Sequence, residues 1–318
     1  MNVLERLAEV VAELLREDLR RVLLGEDVRD GGMLGLSRAA MQDTALGLRV
    51  LATPLTPAAS LAHATGLAMA GRRPIVLLAS ATALLEGYAA LRELGRVSAT
   101  AQGERSAPVL IVAPTGPGFG LGGDGAESPE AALTSVYGLR VIELGDPAEA
   151  PATLRAAASF DDGQGPIVLL LPRALVLHEL QPGSFKDNLG RPLGASRVVR
   201  EGATVTVYAI GAAVDQAFAA ADQSGVDVRI VEVSGLAPLD EAGIVAAATS
   251  GKLVVAHAGG RANAAELVAL LADQAILHLD APVLRVGGAE GPLTGRGEDA
   301  ALPSVEAIAA AITRVATY

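Results

Sequence analysis

A glycine-rich run, GPGFGLGGDG at Gly116–Gly125, follows directly on the apolar run VLIVAP. Gly118, Gly120 and Gly123 stand at GxGxxG spacing, and Glu143 ends the next apolar run at the offset where a dinucleotide fingerprint places its ribose-binding acid. Pyrophosphate binding of that kind needs the glycine amides at a helix N-terminus. Here the glycines stop short of Ser128-Pro129, where an N-cap residue followed by proline predicts the start of a helix. The run therefore reads as a structural or interface loop, with dinucleotide binding as the competing reading.

Two further groups have types suited to chemistry. Glu26 and Asp27, in LGEDV, follow the first predicted strand and so fall at the carboxyl edge of a sheet, where open α/β sheets bind ligands. Paired carboxylates there suit acid–base work, and they equally suit a solvated turn. His257 ends a predicted strand at a Gly-Gly-Arg turn and is the histidine best placed for a ligand. His63, His178 and His278 have no partners at metal-ligand spacing, so no metal site is expected. There is no GxSxG elbow and no GxxxxGK[ST] phosphate loop. The junction TPLTPAAS, Thr53–Ser60, offers only Thr53, Thr56 and Ser60, although strand-to-helix junctions are where α/β enzymes often place reactive groups.

The elements that must position these residues follow from apolar patterning. Short runs at Val22–Leu24, Arg49–Ala52, Ile75–Leu78, Val109–Ala113, Arg140–Leu144 and Ile167–Leu171 predict strands buried on both faces. Helices are predicted between them at Leu4–Leu15, Ala58–Met69, Leu84–Ala101, Pro129–Tyr137 and Pro151–Ala158. The stretch His178–Gly202 is rich in Pro, Gly and charge and reads as a connection. After it the alternation restarts, with strands at Val205–Ala209, Val228–Val233, Leu253–His257 and Val283–Val286 and helices at Ala213–Ser224, Asp240–Ala248, Ala262–Leu271 and Val305–Val315. The expected organisation is thus an α/β domain over 1–177, a linker over 178–202 and a smaller α/β domain over 203–318.

Composition excludes several classes of function. With a net charge of −11 and its 25 basic residues scattered, the chain is not expected to bind nucleic acid. No cysteine is present, which removes disulfides, thiolate metal sites and thiol nucleophiles. The N-terminal MNVLERLAEVVAELLREDLRR carries charges throughout its apolar periodicity and reads as an amphipathic helix, not a signal peptide. No run approaches a membrane span, so a cytoplasmic location with no membrane partner is expected.

Taken in order, LLGEDV, TPL, GLAMAGRRPIV, SPEA and GLRVIELGDPAEAPATLRAA resemble the β subunit of the thiamine-diphosphate-dependent decarboxylase component of 2-oxo-acid dehydrogenase complexes, of the pyruvate, branched-chain and acetoin types. The second half continues the likeness in REGATVTVYAIGAAV, VDVRIVEVSGLAPLDEAGI, VVAHAGGR, LDAPVLRVGG and LPSVEAI. The resemblance implies a transketolase-like pyrimidine-binding domain followed by a transketolase C-terminal domain. It also implies an α2β2-like assembly with an α-type subunit and a second copy of the chain, together with docking to an acyltransferase core. In such an assembly the α subunit holds the diphosphate and Mg²⁺, and the β subunit contacts the aminopyrimidine.

The same resemblance assigns cofactor contacts to Leu55, Pro57, Ser80, Ala83 and Gly125. After TPL the family has a glutamate that activates the pyrimidine, and the register from Thr53 to Gly66 puts Pro57 there. A proline has no group that transfers a proton. The family's two strand-end aromatics fall on Ser80 and Ala83, and its loop histidines on Gly123 and Gly125. Glu26 matches a family carboxylate near the active-site tunnel, and Asp124 and Glu127 are acids on the glycine loop. The leading expectation is a degenerate β-type subunit, a regulatory or scaffolding partner. The alternatives are a divergent thiamine-diphosphate enzyme that uses Glu26, Asp124 or Glu127 as its acid, and a dinucleotide-binding oxidoreductase.

Overall fold

The computed structural model describes residues 1–32, 34–99, 107–159, 165–289, 291 and 293–318, and the backbone of residue 100. The chain forms two compact units, one of Met1–Thr115 with Ala132–Leu193, the other of Gly116–Ala131 with Gly194–Tyr318.

In the first unit, α1 (Val3–Glu17), α2 (Arg38–Met41) and α3 (Thr44–Gly47) alternate with β1 (Arg21–Gly25) and β2 (Val50–Ala52), as do α4 (Pro57–Met69), β3 (Arg73–Leu77), α5 (Ala83–Glu86), α6 (Tyr88–Thr100) and β4 (Leu110–Thr115). After α7 (Glu130–Thr134), whose first two residues belong to the second unit, come β5 (Arg140–Glu143), α8 (Ala150–Ala158), β6 (Ile167–Pro172) and α9 (Arg173–Val176). The strands run in the order β5-β6-β4-β3-β1-β2, each pair parallel. Every residue of β1, β4 and β6 is buried, as near-continuous apolar runs require when helices cover both faces. The amphipathic N-terminal helix is α1: Leu7, Val10, Val11, Leu14 and Leu15 are buried, and Asn2 and Glu5 close a capping box.

The helix predicted over Leu84–Ala101 is broken in two. Gly87 separates α5 from α6 because its Cα rests on the first turn of α4, where a Cβ would come 3.2 Å from the Ala58 nitrogen and 3.3 Å from the Pro57 carbonyl carbon. Ala101 lies outside the described residues.

The second unit contains β7 (Arg197–Arg200), β8 (Val205–Ala209), α10 (Ala213–Ser224), β9 (Val228–Glu232), β10 (Gly235–Ala237), α11 (Glu241–Ala247), β11 (Leu253–Ala256), α12 (Ala265–Gln274), β12 (Leu284–Val286) and α13 (Val305–Ala316). Its sheet has the order β12-β11-β8-β9-β7 and is parallel except for β7, which runs antiparallel to β9. Strand β7 stands inside the stretch whose composition reads as a connection. Its Arg-Val-Val-Arg pattern pairs Arg197 with the buried Glu232 at the sheet edge. Small side chains let α10 lie close to the sheet and to α13: Ala213, Ala217, Ala220 and Ala221 pack with Val205, Val207, Ile308 and Ile312. Among the described residues no helix is long and apolar enough to cross a membrane.

Candidate functional site

Strands β2, β1 and β3 are neighbours, so the residues that follow them are placed side by side at the carboxyl edge of the first sheet. Thr53 follows β2 and donates its N–H to the Gly25 carbonyl at 2.9 Å, which fixes the start of the junction. Ser60, buried one turn into α4, donates its hydroxyl to Thr53 Oγ1 at 2.8 Å. Pro57 is the first residue of α4, where a missing N–H costs nothing to the helix. Its ring is buried, whereas Leu55 is 79% exposed.

Glu26 follows β1 and is buried, with both carboxylate oxygens unpartnered among the described residues. It lines a small cavity with Gly31, Gly32, Leu34, Leu78 and Ala79. Burial pushes its carboxyl above the usual carboxylate range, and the charges of Asp27 and Glu86 push the same way. Asp27 has φ 52°, a left-handed conformation uncommon for a residue with a Cβ. Glu86 stands at the end of α5, and no local sequence pattern ties it to Glu26. Ser80 lies just beyond Ala79 and exchanges a 2.7 Å hydroxyl contact with Thr82, and Ala83 opens α5. Neither position carries an aromatic surface.

Asp124, Gly125 and Glu127 belong to the second unit, and both acids are exposed. The glycine loop that bears them turns its amides inward onto one carboxylate. Glu298 Oε1 accepts from Gly118 N at 2.7 Å and Gly120 N at 2.6 Å, and Oε2 accepts from Gly122 N at 2.9 Å. The amides that a dinucleotide fingerprint would turn to a pyrophosphate are thus turned to a side chain of the same chain. Burial works against the charge of Glu298, but the amides of Gly122, Gly118, Gly120 and Phe119 outweigh it and hold the carboxyl below its ordinary range. Nothing in the sequence links Glu298 to this loop, because the contact joins residues 176–180 positions apart.

The far end of the loop is tied by Asn263. Its side-chain nitrogen donates to the Ser128 carbonyl at 2.9 Å and to Glu130 Oε2 at 2.8 Å. The helix there begins at Glu130, just past the predicted Ser128-Pro129 start. His257 is 1% exposed, with Nδ1 2.9 Å from the Ala258 carbonyl oxygen and Nε2 unpartnered among the described residues. Burial lowers its pKa, the Ala258 carbonyl offsets part of that, and the charge of Arg285 works in the same direction as burial. Among the described residues no group of three or more His, Asp or Glu side chains converges to hold a metal.

Two family models match the chain: the transketolase pyrimidine-binding domain over residues 1–177 and the transketolase C-terminal domain over 194–308. The 2-oxoisovalerate dehydrogenase subunit beta of Pseudomonas aeruginosa is 30% identical, over 99% of this chain and 95% of its own. This chain belongs to the β-subunit family of 2-oxo-acid dehydrogenases. The pyruvate dehydrogenase E1 component subunit beta of Leifsonia xyli is likewise 30% identical, over 96% of this chain and 92% of its own. Among solved structures, a split-gene transketolase described as an inactive β4 tetramer superimposes with a TM-score of 0.73 at 20% identity, covering 100% of this chain and 98% of that one. The transketolase of Leishmania mexicana gives 0.70 at 18% identity, covering 99% of this chain and 45% of that one. Both show the same fold. The two-domain α/β reading therefore holds, as does the assignment to a thiamine-diphosphate-related family of β-type subunits.

Proposed function

We propose that this member is a degenerate β-type subunit, a non-catalytic regulatory or scaffolding partner of an α-type subunit in an α2β2-like assembly. The observation that carries this reading is Pro57. It occupies the first turn of α4, where the resemblance calls for the pyrimidine-activating glutamate, and it offers neither a proton nor an N–H. Ser80 and Ala83 leave the pyrimidine without an aromatic surface, and Gly125 brings no imidazole. These residues do not fit the aminopyrimidine of thiamine diphosphate. The diphosphate and Mg²⁺ would be held by the α-type subunit.

Titration calorimetry tests the reading directly. Thiamine diphosphate and Mg²⁺ are titrated into the assembly purified through this chain, and 2-oxo-acid turnover is assayed in parallel. No turnover is expected. Micromolar binding together with decarboxylation would overturn the proposal.

A second reading rests on Glu26, whose buried, unpartnered carboxyl keeps a raised pKa as acid–base groups do. In that case the chain is a divergent thiamine-diphosphate-dependent subunit with a different acid. It requires that Glu26→Gln abolish a measurable turnover that Asp124→Asn and Glu127→Gln leave intact.

A further inference from the structure

We propose that the glycine loop Gly116–Gly125 is an oxyanion-binding latch whose resident ligand is Glu298, and that with Glu298 removed the same amides take up an exogenous carboxylate or phosphate. The inference goes beyond the proposed function and does not depend on it. Three geometric facts carry it.

First, the amides converge. Gly120 at φ 70° and Gly122 at φ 60° take positive-φ conformations open to glycine, and the N–H groups of Gly118, Phe119, Gly120 and Gly122 converge on one side of the loop, a nest in the broad sense of backbone donors gathered around one anion. Three of these N–H groups lie 2.6–2.9 Å from the Glu298 carboxylate, the short range of charge-assisted hydrogen bonds. The fourth, Phe119, adds to them.

Second, the segment that delivers the ligand also meets the loop through its backbone. Gly123 donates to the Leu293 carbonyl at 2.6 Å. A Cβ on Gly122 would come 2.8 Å from the Leu293 carbonyl oxygen, and one on Gly295 would strike the Gly120 carbonyl oxygen. Leu293 and Gly295 therefore set the reach of Glu298, which follows within the short helical segment Gly295–Ala301.

Third, the carboxylate is almost fully buried, at 3% exposure, so its charge is balanced by the loop and not by water. A nest built to hold one buried oxyanion has the chemistry to hold another of the same shape. The ligand class is an oxyanion; the structure's own carboxylate is its model.

Hydrogen exchange on the full chain tests this, read by mass spectrometry over the peptide that covers residues 116–127. The wild-type loop is expected to be protected and insensitive to added anions. In Glu298→Ala, exchange of the loop amides rises by about 10-fold or more, the scale expected for loss of charge-assisted hydrogen bonds. Millimolar sodium phosphate, sodium acetate or both then restore protection in a saturable way, with sodium chloride at equal ionic strength as control. Recovery with acetate alone assigns the nest to carboxylates, with phosphate alone to phosphoryl groups, and with both to oxyanions generally; each supports the latch.

Unchanged exchange in Glu298→Ala overturns the proposal. So does raised exchange that neither anion reverses. Should the alanine variant fail to fold, Glu298→Ser likewise removes the carboxylate and leaves the amides open, and is read by the same criteria.

Discussion

Asn263 Nδ2 lies 2.8 Å from Glu130 Oε2, and Oδ1 of the same amide accepts the Ala131 N–H at 3.0 Å. One side chain thus satisfies both the carboxylate and a first-turn amide of α7. Glu130 is 3% exposed, so the pair works in a setting where an unmet polar group is costly.

Asn263→Asp is expected to destabilise the chain more than Asn263→Ala. The aspartate brings a second carboxylate against Glu130 and removes an amide N–H that donates to it. Losses of about 1–3 kcal/mol for alanine and more for aspartate should appear as shifts in the urea midpoint. Equal losses in the two variants would show that Glu130 draws no stability from Asn263.

Glu298 should make stability depend on acid. Its folded pKa lies below the unfolded value of 4.5, so its contribution is fully present above that value and is lost as pH falls through the folded pKa. Glu298→Gln should therefore cost about 2 kcal/mol at pH 7 and progressively less in acid. Urea unfolding at pH 7 and pH 4 measures the difference; a cost independent of pH would contradict the assignment.

Glu26 should act with the opposite sign. Burial raises its folded pKa above the unfolded 4.5, so the folded state holds the proton more tightly and stability falls as pH rises through the folded pKa. Glu26→Gln is expected to raise the melting temperature at pH 8, with the gain vanishing below pH 4.5. A variant less stable at pH 8 would mean that the ionised carboxylate is itself favourable.

Pro57→Glu is expected to leave 2-oxo-acid decarboxylation undetectable. Restoring one acid at the head of α4 supplies neither an aromatic surface at Ser80 and Ala83 nor an imidazole at Gly125. Turnover by this single variant, in the assembly with thiamine diphosphate and Mg²⁺, would show that the other positions are dispensable.

Gly95→Ala should be costly although Gly95 lies in a helix, where alanine is usually the better residue. A Cβ there would run into the Tyr137 carbonyl oxygen, which is backbone and cannot turn aside. Overpacking of about 1–3 kcal/mol is expected, as a melting temperature lowered by several degrees.

Much of this architecture is legible in the chain itself. The run Ala213–Ser224 is a helix over the predicted residues, ended by Gly225 at its C-cap, and Val205–Ala209 is a strand over its predicted residues, a short apolar run with Gly202 and Gly211 close on either side. The place of Glu26 after a strand is legible too, because Leu23–Gly25 form an apolar run that ends at it. The break at Gly87 was not legible, since it comes from α4 pressing on α5 and not from any local breaker beyond one tolerated glycine. Neither was the partner of the glycine loop. A motif reports which backbone conformations are allowed; Glu298 meets those amides only after a sheet and several helices have formed.

The backbone leaves the first unit after Thr115, returns at Ala132 and leaves it again after Leu193. No single cut can part the two units. A fragment ending within His178–Gly202 carries the glycine loop but neither Asn263 nor Glu298, and the complementary fragment carries both clamps with nothing to grip. Mixed together, such halves would order the loop only on reassembly, so the protection of a dozen glycine-rich residues would report when two separately made polypeptides have become one protein again.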